Sequence, residues 1–255
     1  MNAAHVLRGM YGLWVREATV YMREYSRIIS SLFSPIIWLG VVGTGYQGFI
    51  RLPLPETVTY REYLFPGVLA MTVLFITVFY GLYIVWDRKM DVLKAVLVAP
   101  QPRWGLFGGK VLGGATEGLF QGLLILLIGW PLARYDLVAI PAVVLVVVLI
   151  ATSLTALGLT LGALFDSYEG FQITSSFIVF PMFFLSGALY PTRGQEAWLY
   201  WAHRVNPLTY GVDALRGLLV PANGFEFGLW FDVGVLLAFC VGMVAVGGLA
   251  FQRIR

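Results

Sequence analysis

The sequence predicts an all-α membrane protein with six transmembrane helices, and three observations carry that prediction. Uncharged runs recur at residues 28–50, 63–86, 137–165, 170–192 and 233–252, and a sixth run, 111–133, is broken only by Glu117. Each is about 20 residues or longer, which at ~1.5 Å per residue matches a hydrocarbon core of about 30 Å. Composition agrees: of 255 residues, 59% are hydrophobic and 12% are charged, about half the charged fraction of soluble domains. After six spans and short loops, no stretch remains for a separate soluble domain, so residues 1–255 read as a single transmembrane domain. Lipid offers no partner to a backbone N–H or C=O, so each span must be a helix.

Before the first span, residues 1–27 carry charge throughout and lack the compact apolar run of a signal peptide. Residues 6–25 form an amphipathic pattern. Arg8, Arg16, Arg23 and Arg27 share one arc, with Thr19 and Ser26 beside them. Met10, Trp14, Ala18, Tyr21, Met22 and Tyr25 gather opposite, with Leu13 and Val20 off the pattern. Arginines on one face and aromatics on the other describe a helix lying in the membrane interface; the plainer reading is a solvated start to span one.

The loop after span two, residues 87–104, predicts a short helix. Met90, Leu93 and Leu97 share a face, Asp91 and Lys94 stand three apart beside them, and Pro100 and Pro102 end it. It is too short to cross a bilayer, so its apolar stripe is either a docking element for a soluble partner or a turn lying on lipid. Span three follows with Glu117 and, one turn on, Gln121. A carboxylate here is expected to be protonated, paired or facing a cavity, which leaves open a packing bond to another span or a contact with cargo.

Spans two and five carry aligned rings: Phe75, Phe79, Tyr83 and Trp86 on one, Phe177, Phe180 and Phe184 on the other. They either pack and face lipid or line a pathway. The last loop, residues 193–232, is rich in Trp, Tyr and Leu, so half-helices in the membrane surface fit it better than a soluble loop. Asn206 reads as a helix cap and Pro207 as the first helical residue, with Asp213 and Arg216 three apart on that helix; Pro221 to Gly224 break it. A further short helix is expected around residues 195–204.

Placing both termini in the cytoplasm puts 11 of the 17 Lys and Arg residues inside and 6 outside, as the positive-inside bias requires. A net charge of +3, scattered along the chain, argues against nucleic acid as a partner. Cys240 is the one cysteine, so no internal disulfide forms. No phosphate loop is present, since Gly109-Lys110 runs into Val111. No Cys/His cluster has metal-ligand spacing, and no nucleophile–base pair suggests itself.

Four strings stand in register on this frame: Ile84-Val85-Trp86-Asp87-Arg88; Leu97-Val98-Ala99-Pro100 followed by Gly109-Lys110; Phe184-Leu185-Ser186-Gly187-Ala188-Leu189-Tyr190-Pro191; and Asn206-Pro207-Leu208-Thr209-Tyr210 with Asp213 and Arg216. Together they resemble the membrane (permease) subunits of type-2 ABC exporters over essentially the whole chain, in the branch of daunorubicin-resistance and nodulation-factor export permeases.

The resemblance implies a homodimer in a prokaryotic cell membrane, docked to two copies of a separate cytoplasmic ATPase that holds the ATP and Mg, with no cofactor on this chain and no catalysis by it. It implies a coupling helix at about residues 88–98, with Arg88, Lys89, Met90, Asp91, Leu93, Lys94, Leu97, Pro100 and Arg103 as the coupling set. Spans one, two and five would border the route of a hydrophobic or amphipathic substrate, drug-like or lipid. That pathway set is Phe75, Phe79, Tyr83, Glu117, Phe177, Phe180 and Phe184. Asn206, Pro207, Tyr210, Asp213 and Arg216 would belong to re-entrant helices capping it. A lipid-linked glycan exporter of the same architecture is the near alternative. A secondary transporter would need paired ionisable groups and inverted repeats, and one acid and no repeat are visible.

Overall fold

A computed structural model describes residues 3–45, 58–90, 102–133, 135, 137–191 and 196–252. Among them every regular element is helical: α1 Ala3–Arg23, α2 Tyr25–Gly45, α3 Tyr60–Phe79, α4 Leu82–Lys89, α5 Arg103–Ala133, α6 Ile140–Leu164, α7 Tyr168–Phe184, α8 Ala197–Val205, α9 Pro207–Leu219 and α10 Leu229–Gln252. Five stretches are long and apolar enough to cross a membrane: Tyr25–Gly45, Tyr60–Lys89 (α3 with α4), Arg103–Pro131, Leu137–Leu164 and Leu229–Gln252.

The run at 170–192 behaves differently from the predicted span. Its helix, α7, has 17 residues, about 25 Å. It stops because Leu185 leaves helical geometry, Ser186 bonds back to the Phe183 carbonyl at 2.7 Å, and Gly187 takes a positive φ. Span three, in contrast, begins eight residues earlier than its uncharged run, because Lys110 is buried within the helix rather than solvated before it.

The caps follow the sequence. Thr59 and Glu62 form a reciprocal capping box at α3. Asn206 accepts from Leu208 N at 3.1 Å with Pro207 opening α9, as the dipeptide predicts. The helix expected at 195–204 is α8.

α3 is the centre of the bundle. Leu64, Phe65, Leu69 and Leu74 have no exposed surface, and α5, α6, α7 and α9 pack around it. α10 lies along α6, and α1 lies along α5. The buried face of α1 is Val6, Leu13 and Tyr21, whereas Met22 and Tyr25 are exposed. Leu13, off the predicted pattern, faces inward because Gly109 of α5 leaves room for it. Docking on a neighbouring helix, rather than an ideal 100° wheel, thus decides the inward face.

α3 and α4 meet at Tyr80–Gly81, where the ladder tightens to three-residue bonds such as Gly81 N to Val78 O at 3.1 Å. Here the backbone touches α6 directly: a Cβ on Gly158 would collide with the Val78 carbonyl, and one on Gly81 with the Gly158 carbonyl. Without a hydrophobic drive between helices in lipid, such close backbone approach is a main source of packing energy. Gly158→Leu is therefore expected to cost on the order of 3 kcal/mol and to convert a monodisperse gel-filtration peak to aggregate. Gly242→Leu, whose added Cβ meets nothing, is expected to leave the peak unchanged.

Candidate functional site

α2 lies at the rim of the bundle with few buried residues, and Pro35 within it loosens the helix into a π turn at Trp38–Val42. The face that α2 turns toward α3 reads Arg27, Ser30, Ser31, Ser34, Trp38, a spacing of three and four that keeps these side chains on one side. Small hydroxyl side chains on that face leave a gap. The result is a groove of about 690 Å³ between α2, α3–α4 and α7. From Arg27 to Trp38 it follows α2 for about 16 Å.

One wall is aromatic. Phe75, Phe79, Tyr83 and Trp86 come from α3 and α4, and Phe180, Phe183 and Phe184 from α7. Phe75 meets Phe180 and Phe183 edge-on, with ring centroids 5.6 and 6.5 Å away, so the two helices present one continuous surface. Of the residues expected on the pathway, Phe75, Phe79, Tyr83, Phe180 and Phe184 line this groove. Phe177 does not; it is 76% exposed, two turns before Phe184 on α7.

Glu117 does not line the groove either. It is 2% exposed and accepts from Arg27 Nη2 at 2.7 Å, while Arg27 Nη1 donates to the Tyr83 hydroxyl. Glu24 stands 3.6 Å from the same guanidinium, which also lies over the rings of Tyr83 and Tyr21 at 5.0 and 5.6 Å. Burial first, and then the Glu117 carboxylate, push the Tyr21 hydroxyl up to about 12 against the opposing pull of Arg27. Tyr21 therefore keeps its proton at physiological pH and faces Gln121 Oε1 at 3.5 Å.

A second buried charge lies two turns away. Lys110, 1% exposed, donates to Asp87 Oδ2 at 2.6 Å and Glu17 Oε1 at 3.3 Å, and Tyr80 donates to Glu17 Oε2 at 3.1 Å. α1, α4 and α5 are thereby tied beside the loop that follows α4. Arg88 ties the same end of α4 to α6, donating to the Ala163 and Phe165 carbonyls at 3.2 and 3.3 Å and pairing with Asp166. Lys89 and Met90 are exposed. Asp91, Leu93, Lys94, Leu97 and Pro100 lie outside the described residues. Arg103 opens α5 and donates to the Gln252 carbonyl at 2.7 Å.

At the other end of the bundle, Asp213 and Arg216 act separately. Asp213 accepts from the backbone N–H of Glu226 and Phe227 at 2.9 and 3.0 Å. Arg216 covers the Tyr63 ring at 3.9 Å and donates to the Gly187 carbonyl at 2.8 Å. Asn206 Nδ2 reaches the Met182 carbonyl at 2.7 Å and Tyr210 the Arg204 carbonyl at 2.8 Å, with Pro207 between them opening α9. The cap set thus knits α8 and α9 to the turn after α7. The groove residues that sequence reasoning missed include Phe183 and, on α2, Arg27, Ser30, Ser31, Ser34 and Trp38; for the α2 set, the one-face spacing that runs from Arg27 into an uncharged run was the available signal.

Removing one member of a buried ion pair leaves the other unpaired, at about 3–5 kcal/mol when both are fully buried. Arg27 is 32% exposed at its side chain, so Glu117→Met is expected to cost less, about 2 kcal/mol. Arg27→Met with Glu117→Met should recover most of the lost melting temperature in a double-mutant cycle.

Relatives are similar to this chain along most of its length. The chain is 25% identical over 252 residues to the inner membrane transport permease YadH of Escherichia coli (strain K12), covering 95% of this chain and 94% of that protein. It is 24% identical over 242 residues to Nodulation protein J of Rhizobium meliloti (strain 1021), covering 94% and 88%. Against Nodulation protein J of Rhizobium leguminosarum bv. viciae it is 23% identical over 218 residues, covering 85% and 81%. The sequence profile of the ABC-2 type transporter matches residues 9–220; with most of its length matched, the chain belongs to the ABC-2 type transporter family.

Proposed function

We propose that this chain is the membrane subunit of an ATP-driven exporter that moves a hydrophobic or amphipathic molecule out of the cytoplasm or the inner leaflet. The observation that carries the reading is the groove between α2, α3–α4 and α7. In a member of this family without a phosphate loop, a continuous aromatic wall over the depth of the helices suits a membrane-borne cargo, and the energy comes from elsewhere.

The energy source is a separate cytoplasmic ATPase, which holds ATP and Mg. Two ATPase copies serve two copies of this chain, with both termini in the cytoplasm of a prokaryote. α7 is the fifth of six spans, its shortness made up by the turn after Phe184 and by α8 and α9, which close the outer end. The segment at residues 88–98 docks in the ATPase through Met90, Leu93 and Leu97. Closure of the ATPase pair then pulls on the end of α4, where Asp87 and Arg88 hold α1, α5 and α6.

Purification from the native host in mild detergent should recover a phosphate-loop ATPase in equal stoichiometry; repeated recovery without one would favour an ATPase-independent transporter. Leu93→Asp and Leu97→Asp should each lower ATPase recovery at least tenfold while the protein remains membrane-inserted. Wild-type recovery and transport in both variants would remove the docking assignment.

A further inference from the structure

The groove has chemically distinct ends. Toward Phe184 it is apolar and aromatic, while at Arg27 it is polar, and the polar groups there are committed in a particular way. Ser30 and Ser31 donate their hydroxyl protons to the Ser26 and Ile28 carbonyls at 2.7 and 2.8 Å. Both therefore offer lone pairs, as acceptors. Arg27 is the opposite case, a pure donor. Two of its five N–H groups go to Tyr83 and Glu117, and the guanidinium is fixed in place with donors to spare. Tyr83, having accepted from Arg27, keeps its own O–H to donate.

Charge is nearly balanced at this end. Arg27 is met by Glu117 at 2.7 Å and Glu24 at 3.6 Å, so the cluster offers no positive excess to an anion. An anionic head would also set acceptors against the serine lone pairs. A quaternary ammonium would have no hydrogen bonds to make and would meet the guanidinium. A hydroxyl group both donates and accepts, carries no charge, and suits every partner present.

We propose that the Arg27 end of the groove seats an uncharged, hydroxyl-bearing head group, with the apolar body of the same molecule lying along the aromatic wall, and that Arg27 reads the head. This rests on the groove being the cargo site of the exporter proposed above. Glu117 then positions Arg27 without touching cargo, while Tyr83 both holds Arg27 and lines the groove.

The test uses purified full-length protein in phosphatidylcholine nanodiscs and three probes with the same brominated dodecyl chain, carrying maltoside, phosphate or trimethylammonium heads. Bromine quenches tryptophan, and Trp38 and Trp86 line the groove. The maltoside probe should quench saturably, at a concentration at least tenfold below the other two, and the Trp38→Phe/Trp86→Phe variant should lose that component. Arg27→Lys, which keeps the charge and loses the fork, should raise the maltoside half-point about tenfold, the loss of one or two hydrogen bonds. Ser30→Ala/Ser31→Ala should shift it in the same direction with no demand on the ion pair.

Equal half-points for the three heads, a preference for phosphate or for ammonium, no saturable quenching, or unchanged selectivity in both variants would each overturn the proposal. ATPase recovery measured on the same variants separates the two readings. ATPase capture tests Leu93 and Leu97 and probe quenching tests Arg27, so capture can succeed while the head-group reading fails, or the reverse.

Discussion

A buried lysine, a buried glutamate and the partners that neutralise them govern the arrangement of this bundle. A charge inside a low-dielectric helix bundle is tolerated only if a partner reaches it, and the partners here come from other helices. Lys110 of α5 draws in Asp87 of α4 and Glu17 of α1. Glu117, two turns further along α5, draws in Arg27 of α2. α5 thus acts as a post from which three neighbouring elements are hung at fixed height and rotation. The apolar contacts around it are numerous but non-directional and would not select one rotation of α1 or α2.

The groove is a consequence of that arrangement. With Arg27 pinned to α5 through Glu117, α2 turns its serine face toward α3, and short side chains cannot close the distance to the phenylalanines opposite. Pro35 and the π turn at Trp38–Val42 widen the separation. On the opposite flank of α3 the packing is of another kind: Gly81 at the α3–α4 junction and Gly158 and Gly162 of α6 bring the two backbones into direct contact. α3 is therefore held rigidly against α6 and loosely against α2, and the open side is where a ligand has room.

Much of this was legible in the chain itself. The apolar runs, the Asn206-Pro207 helix start, the amino-terminal helix and the aromatic rows on α3–α4 and α7 all follow from local chemistry or simple periodicity. Phe75, Phe79 and Tyr83 stand at the groove because residues spaced by three and four share a face wherever the helix is placed. The same rule does not say which face meets a neighbour. Phe177, in the same row as Phe180 and Phe184, lies two turns before Phe184 and stays exposed beyond the groove, and Leu13 turns inward although the helical wheel sets it aside. Asp213 and Arg216, three apart and opposite in sign, find partners across the cap instead of each other, because backbone N–H and carbonyl groups lie closer than a rotamer joining the two.

The sequence by itself determined that the chain is helical and crosses a membrane, because in hydrocarbon every backbone group must be satisfied within its own segment, and apolar run length is a local property. Tertiary structure alone decided what Glu117 pairs with. A lone acid in a span reads equally as packing or as cargo contact, and its role rests on Arg27, 90 residues earlier in the chain. It also decided that three serines and an arginine on a rim helix share a groove with rings from α3, α4 and α7. Pairing across such distances depends on how helices rotate and dock, which no periodicity within one helix records.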